Sequence, residues 1–186
     1  MRIISGSMRG TKLFTLEGLN TRPTLDRVKE ALFNILNFEL PDSNVLDLFA
    51  GCGALSLEAL SRGAKKAVLC DNSNEAINVI KKNIEKTRTQ DKVEVYKMHY
   101  EKVLEKMKNE KQKADVVFLD PPYDSDFAED AAKKIIQFDL LEESGIIIIE
   151  TDKLEKVLSN IDNELLQIYD TRKYGRVSLI FLKRKG

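Results

Sequence analysis

An apolar stretch ends at a carboxylate, two prolines and an aromatic ring in "VVFLDPPY", residues 116–123. Such a stretch is typical of a strand buried on both faces, and its end brings residues 120–123 to one place. The prolines stiffen the backbone and lack N–H groups, so the Pro121 carbonyl can face a ligand without a competing donor. Asp120 and this carbonyl can each accept one N–H of a planar amine while Tyr123 stacks on its ring. The motif predicts chemistry on a nucleobase amino group, although a stiff loop whose aspartate caps the next helix is the alternative.

A glycine turn precedes this motif in "DLFAGCGALSLEAL", residues 47–60, which passes from a predicted strand into a predicted helix. Gly51 and Gly53 permit a sharp turn and let a ligand approach the backbone. Asp71 follows Gly51 by 20 residues, at the strand end where an acid holds ribose hydroxyls in doubly wound folds. The third glycine of a dinucleotide fingerprint is missing and an extra acid, Asp47, precedes the turn. Both differences favour S-adenosylmethionine, whose α-amino group a carboxylate can bind.

The composition is that of an ordinary single domain: 186 residues, 42% hydrophobic and 32% charged. The longest aliphatic run, 146–149, is far too short for a bilayer, and the N-terminus lacks the apolar region of a signal peptide. Cys52 and Cys70 form no CxxC pair and His99 is the single histidine, so neither a zinc site nor a disulfide framework is expected. We expect a cytoplasmic, monomeric protein with no metal and no membrane segment.

The charge is balanced overall but unevenly distributed along the chain. Residues 1–37 contain six Lys and Arg against three acids, and residues 171–186 contain six against none. Two basic ends on an acidic body are consistent with a surface that binds nucleic-acid phosphates. Solvated surface charge is an equally good interpretation of this pattern alone.

Strands and helices alternate along most of the chain. A hairpin over 2–15 and a helix capped by Thr24 come first, and from Pro41 onward repeated βα units indicate a doubly wound parallel sheet closed by an antiparallel hairpin. We expect residues 1–40 to be an extension packed on a core domain, 41–186. The predicted strands are 44–49, 66–71, 92–97, 114–120, 145–150, 164–170 and 177–183, and the predicted helices among them are 54–63, 73–86, 100–109, 126–137 and 153–159.

The motifs together resemble the bacterial RsmD family. They are "IISGSMRGTKL", "TRPTLDRVKEALFNIL", "LDLFAGCGALSLEALSRGA", "FLDPPY" and "KYGRVSL". The resemblance implies an α/β, Rossmann-like class I S-adenosylmethionine-dependent methyltransferase fold with a seven-stranded sheet in the order 3-2-1-4-5-7-6. It further implies methylation of the exocyclic N2 of one guanosine in 16S rRNA, guanine 966, within the assembling small ribosomal subunit.

The resemblance also assigns roles to individual residues. The methionine end of the cofactor would contact Asp47, the ribose would contact Asp71, and Arg22 and Thr24 would close over the cofactor. Where many relatives place an acid for the adenine amine, this chain offers His99 or Tyr100. Cys52 stands where the family usually has serine and is given no catalytic role. The predicted cofactor-binding residues are Arg22, Thr24, Asp47, Phe49, Gly51, Gly53, Asp71, Asn72, His99 and Tyr100, and the predicted catalytic residues are Asp120, Pro121, Pro122 and Tyr123.

Other activities stay open at this point. A DNA adenine-N6 methyltransferase, or another nucleic-acid amino-methyltransferase, could use the same amine pocket, although 186 residues leave no room for a target-reading domain. A protein-glutamine methyltransferase typically has Asn at the position of Asp120. A non-enzymatic RNA-binding module is the last alternative, and cofactor binding would separate it from the enzymes.

Overall fold

The computed structural model describes residues 1–16, 23–122, 125–161 and 164–186. Within these residues, helices lie on both faces of a single seven-stranded sheet. The helices are α1 (Pro23–Ile35), α2 (Ala54–Ser61), α3 (Asn74–Thr87), α4 (Tyr100–Glu110), α5 (Phe127–Gln137) and α6 (Leu154–Asn160), with a 3-10 turn at Gln90–Lys92. The strands are β1 (Asn44–Asp47), β2 (Lys66–Asp71), β3 (Val93–Lys97), β4 (Ala114–Leu119), β5 (Leu141–Thr151), β6 (Leu166–Tyr174) and β7 (Val177–Arg184). None of the described helices has both the length and the apolar character needed to cross a bilayer.

The strand order is β3-β2-β1-β4-β5-β7-β6, which confirms the predicted fold and order. The first five strands are parallel, and β7 is antiparallel to both β5 and β6. The chain changes direction across the sheet between β1 and β4. In open α/β sheets, ligands bind outside the carboxyl ends of the strands at this switch point.

Several element boundaries differ from the predicted ones, most notably at the start of α1, the start of β5 and the end of β6. The first helix begins at Pro23, which favours a first helical position, so Thr24 lies within the first turn and not at the cap. Strand β5 begins at Leu141, because this residue pairs with Ala114 despite the polar residues that follow it. Strand β6 continues to Tyr174, which shortens the predicted six-residue turn to residues 175–176.

Side chains along β4 and β5 alternate between two cores, one on each face of the sheet. Phe118 and Ile148 pack in the core that includes residues of α1, whereas Leu119 and Ile149 pack in the core that includes residues of α4 and α5. Phe118 and Ile148 form a row on one face of the sheet, and positions 120 and 150 continue this row beyond them. The row therefore faces the side of the sheet that α1 covers.

The N-terminal arm, residues 1–16, is attached to the core by buried polar groups. One antiparallel bridge, Arg2 to Lys12, confirms the predicted hairpin in its simplest form. The Glu58 carboxylate, fully buried in α2, accepts hydrogen bonds from the Ile4 N–H (2.8 Å) and the Ser5 N–H (3.0 Å). A Cβ at Gly6 would lie only 1.8 Å from the Ser61 carbonyl oxygen, so the arm can approach α2 only with glycine there. The division of the chain at residue 40 stays a prediction.

Candidate active site

The glycine turn between β1 and α2 is fastened to the end of β2. Gly51 and Gly53 both have left-handed backbones, with φ of 57° and 78°. The Asp71 carboxylate accepts hydrogen bonds from the Gly51 N–H and the Ser73 N–H, both at 2.9 Å. A Cβ at Gly51 would meet nothing within 4 Å, so this backbone is open to a ligand. Asp71 therefore shapes the turn, and its remaining lone pairs are available for ligand hydroxyls.

Asp47, the last residue of β1, is buried with one carboxylate oxygen lacking a partner. It is 1% exposed, and its Oδ2 accepts a hydrogen bond from Ser56 Oγ at 3.0 Å. Its Oδ1 has no hydrogen-bond partner among the described residues. Burial raises the pKa of Asp47 to about 7, an effect that the Ser56 hydrogen bond and the nearby Phe49 backbone N–H oppose and that the Asp71 charge reinforces. Because an unpartnered buried carboxylate oxygen is costly, this atom is suited to a cationic ligand group.

Two adjoining cavities open at the carboxyl ends of the strands. The first, which we call the aromatic cavity, has a volume of about 380 Å³. The second, the acidic cavity, has a volume of about 230 Å³ and lies against α1. Both are lined by Phe49, Gly51 and Asp120, so a ligand could extend from one into the other. A further cavity of about 300 Å³ lies at the amino ends of the strands and contains none of the predicted site residues.

Four rings form one wall of the aromatic cavity. Phe49 and Phe127 are parallel within 3° at 6.3 Å between centroids, and Tyr100 lies 5.4 Å from both. His99 packs on Tyr100 at 4.5 Å. The Tyr100 hydroxyl donates a hydrogen bond to Asp130 Oδ2 at 2.7 Å, which fixes the ring. Burial, followed by this bond, raises the pKa of Tyr100, so this ring stays uncharged and, with Phe49 and Phe127, is suited to a flat heterocycle.

Two carboxylates mark the ends of β4 and β5 in the acidic cavity. Asp120 follows Leu119, which pairs with Ile149, and Glu150 follows Ile149. Neither acid has a hydrogen-bond or ion-pair partner that lies in the described part of the chain. Asp120 keeps an exposed surface, yet the surrounding protein excludes water on its other sides. This desolvation, followed by the charges of Glu150 and Asp47, raises the pKa of Asp120, and burial also raises the pKa of Glu150.

Comparisons with known proteins show the family of this chain. A family model described as conserved hypothetical protein 95 matches residues 1–183. The ribosomal RNA small subunit methyltransferase D of Haemophilus influenzae is 40% identical over 154 residues, which cover 82% of this chain and 79% of that protein. The chain belongs to the ribosomal RNA small subunit methyltransferase D family. The putative rRNA methyltransferase YlbH of Bacillus subtilis is 33% identical over 186 residues, 100% of both chains. A putative methyltransferase of Escherichia coli has a solved structure with a TM-score of 0.84 at 28% identity, covering 100% of this chain and 98% of that chain.

Family membership confirms the resemblance seen in the motifs, and the structure shows where the predicted residues lie. Arg22 and Tyr123 lie outside the described residues, and of Thr24 only the helical backbone is described. Gly53 lies behind the turn, where a Cβ would approach Leu69 to 3.1 Å, and it lines neither cavity. The remaining predicted residues line one or both cavities: Asp47, Phe49, Gly51, Asp71, Asn72, His99, Tyr100, Asp120, Pro121 and Pro122.

Two residues of the site were missed by the sequence analysis. Phe127 begins α5 and closes the aromatic wall, and its only sequence signal is its position shortly after the Asp-Pro-Pro-Tyr motif. Glu150 ends the aliphatic run "IIIIE", a pattern that resembles the end of β4 but that by itself indicates only the end of a strand. Within the described residues, no group of three or more His, Cys, Asp and Glu side chains could hold a metal ion.

Proposed function

We propose that this protein transfers a methyl group from S-adenosylmethionine to the exocyclic N2 of a guanine in small-subunit rRNA, guanine 966 by family resemblance. The observation that carries the proposal is the arrangement at the strand ends. Asp47 has an unpartnered buried oxygen, and Asp120 has no hydrogen-bond partner among the described residues. Both acids border the acidic cavity, and Gly51 lines this cavity and the aromatic one. A cationic, adenosine-containing donor and a planar amine are the two ligands that this arrangement suits.

The residues present fit the cofactor. When bound, S-adenosylmethionine supplies an electrophilic methyl group on a sulfonium centre. Asp47 Oδ1 is suited to accept hydrogen bonds from its α-ammonium group, which would compensate the buried charge. Asp71, already oriented by two backbone N–H groups, can accept hydrogen bonds from ribose hydroxyls. The wall that includes Phe49, Tyr100 and Phe127 suits the adenine ring.

Asp120 and the Pro121 carbonyl would hold the acceptor amine. The nitrogen lone pair of an aromatic amine is delocalised into the ring, which makes it a poor nucleophile. Two acceptors bonded to its N–H groups direct the lone pair toward the methyl group and stabilise the positive charge that develops on nitrogen. Methyl transfer would break the sulfonium S–C bond, release the neutral thioether S-adenosylhomocysteine, form the N–C bond and free one proton from the nitrogen. The raised pKa of Asp120 suits this carboxylate to receive that proton.

The basic surface at the same edge supports an RNA substrate. Thr151 at the end of β5 pairs with Ser178 of β7, so the β6–β7 turn extends beyond the carboxyl edge that carries the acids. Lys173 and Arg176 at this turn are exposed. Exposed cations beside the pocket can contact the phosphates that flank a flipped base.

The test is to identify the methylated nucleoside. Small subunits, and separately naked 16S rRNA, from cells lacking this protein are incubated with it and with isotope-labelled S-adenosylmethionine, and the RNA is digested and analysed by mass spectrometry. The proposal predicts labelled N2-methylguanosine at one position in at least one of the two substrates. The proposal is overturned if the label appears only in N6-methyladenosine. It is also overturned if neither RNA is labelled while a DNA substrate that contains adenine, incubated in parallel, is labelled.

A further inference from the structure

Glu150 is a carboxylate in the acidic cavity with no role in the reaction as described so far. It belongs to the row that continues from Ile148 toward the face covered by α1. Its register places it level with Asp120 on the neighbouring strand, and adjacent strands are about 4.8 Å apart. Both acids line the same cavity. No hydrogen bond or ion pair links Glu150 to any residue that the structure describes.

The nearby lysine does not compensate Glu150. Lys29 of α1 also lines the acidic cavity, but its Nζ donates to the Arg2 carbonyl at 2.5 Å and pairs with Glu58 at 3.3 Å. Its side chain is only 6% exposed and is held in this position by the N-terminal arm. The cavity therefore presents two adjacent acidic side chains that no described cation neutralises, and such an arrangement favours a ligand with two adjacent N–H donors.

Guanine has this donor pattern and adenine does not. On the Watson–Crick edge of guanine, the N1–H donor adjoins the exocyclic N2 amino group. In adenine, the ring nitrogen beside the exocyclic amino group is N1, which carries a lone pair and no hydrogen. An acceptor placed at that position bonds to guanine and repels adenine, and sites built to bond a substrate N–H reject analogues lacking it.

We propose that Glu150 is a specificity-determining residue that accepts the N1–H of the target guanine while Asp120 accepts an N–H of the adjacent N2 amino group. This inference rests on the proposed function and adds the means by which the enzyme distinguishes guanine from other amino-bearing bases. The donors of guanine supply the partners that both carboxylates lack. The N1 lone pair of adenine would face the Glu150 carboxylate and leave it unpartnered.

The test uses a substrate that keeps the reacting amine, has a lone pair in place of the N1–H and lacks the C6 carbonyl oxygen. 2-Aminopurine has an amino group at the same ring position as guanine, but its N1 carries a lone pair. Small-subunit RNA is assembled with either guanine or 2-aminopurine at the methylated position, and kcat/KM is measured for both with wild-type protein and with Glu150→Gln. The side-chain amide of glutamine can donate to the N1 lone pair, which the carboxylate cannot do.

The expected result is a change in the ratio of the two kcat/KM values. In wild type, guanine is preferred over 2-aminopurine, and in Glu150→Gln the ratio falls by about 10- to 100-fold, the range for one hydrogen bond to a charged group. Comparing the ratio between proteins removes the difference in intrinsic reactivity of the two amines. Glu143→Gln, at an exposed position near the amino end of the same strand, is the matched control and should leave the ratio unchanged.

The outcomes separate this inference from the proposed function. An unchanged ratio in Glu150→Gln, with guanine still methylated by wild type, would overturn the role of Glu150 and leave the proposed function intact. If the wild-type protein does not methylate guanine at the target position, both the role of Glu150 and the proposed function are overturned. If Glu150→Gln does not fold, as judged by thermal unfolding and S-adenosylmethionine binding, Glu150→Asp is measured in the same way. Its shorter side chain should lower kcat/KM for guanine and lower the ratio, and an unchanged ratio would overturn the inference.

Discussion

Two buried acids on the same side of the sheet, Glu58 and Asp47, have opposite surroundings. Glu58, which is 0% exposed, receives two backbone N–H groups of the N-terminal arm and pairs with Lys29 and Arg62 at 3.3 and 2.9 Å. Asp47, which is 1% exposed, has one hydroxyl donor on Oδ2 and no described partner on Oδ1. The first carboxylate is saturated by its own chain, whereas the second is left for a ligand.

The difference teaches how to separate structural acids from functional ones. A buried carboxylate with several donors contributes to stability mainly because removing it strands its partners. A buried carboxylate with a free oxygen lowers the stability of the ligand-free protein, and such a cost persists where it serves function. Asp47 is an acid of the second kind that lines a site cavity, whereas Glu129 also has an unpartnered buried oxygen but lines neither site cavity. Asp120 and Glu150, which are less buried, have no partner among the described residues and line the acidic cavity with Asp47.

The largest expected effect comes from removing the acid beside the amine. Asp120→Ala should lower kcat by about 1,000-fold, similar to the loss of one preorganised polar group in other active sites. S-Adenosylmethionine binding should change little, because no cofactor contact is assigned to this side chain. Single-turnover methylation and calorimetry check the two parts. Near-normal methylation by a folded Asp120→Ala protein would show that this carboxylate does not take part in the reaction.

Glu58→Gln should have the largest effect on stability. The substitution keeps the shape of the side chain but removes the charge that compensates Lys29 and Arg62. Breaking a buried ion pair costs about 3–5 kcal/mol of the free energy of unfolding, and urea denaturation measures this loss. Glu85→Gln, at an exposed position of helix α3, is a matched helical substitution that should cost much less. Equal stability of Glu58→Gln and wild type would contradict the distinction between acids whose oxygens all have partners and acids with a free oxygen.

Asp47→Asn should change stability in the opposite direction. The pKa of Asp47 is about 7 in the folded protein and 3.8 in the reference state, so between these values the folded state binds more protons. The free energy of unfolding therefore falls as pH rises from about 4 to about 7, by up to about 4 kcal/mol from this group. Asparagine removes this term, so the variant should be more stable than wild type at pH 8 and gain nothing near pH 4. Urea denaturation at both pH values checks the sign, and a destabilised variant at pH 8 would show that Asp47 is structural.

Much of the site follows from local sequence. A few consecutive residues are enough to predict the glycine turn, the acid at the end of β2 and the Asp-Pro-Pro-Tyr motif, because backbone geometry and strand ends are local properties. Their convergence also follows, since parallel strands present their carboxyl ends at one edge. The order of the strands was supplied by the family resemblance.

The missed residues depend on tertiary neighbours. Glu150 lies in the site only because β5 pairs with β4 in matching register. Nothing in "IIIIE" shows which strand is adjacent. Phe127 belongs to the site only because its ring packs beside that of Phe49, a contact between residues far apart in the sequence. From the sequence alone, Glu58 is expected to be an ordinary exposed helix residue, because only the structure shows that the N-terminal arm covers it.

The smallest expected effect concerns the RNA-binding surface. Neutralising Arg2, Arg9, Lys173 and Arg176 should weaken binding and lower the slope of log K against log salt by about one for each lost phosphate contact. Arg172 is a weaker probe, because it pairs with Asp170 at 2.8 Å. Neutralising four exposed lysines near the amino ends of the strands, Lys65, Lys66, Lys92 and Lys111, is the control. Equal slopes for the two variants would place the RNA elsewhere.

The most direct test of the free carboxylate is calorimetric titration of S-adenosylmethionine into wild type and Asp47→Asn between about pH 6 and about pH 7.5. If Asp47 binds the α-ammonium group, wild-type affinity rises several-fold over this range as the carboxylate ionises. The variant binds at least tenfold more weakly at the upper pH and shows no such rise. Equal affinities and equal pH dependence in the two proteins would contradict the account.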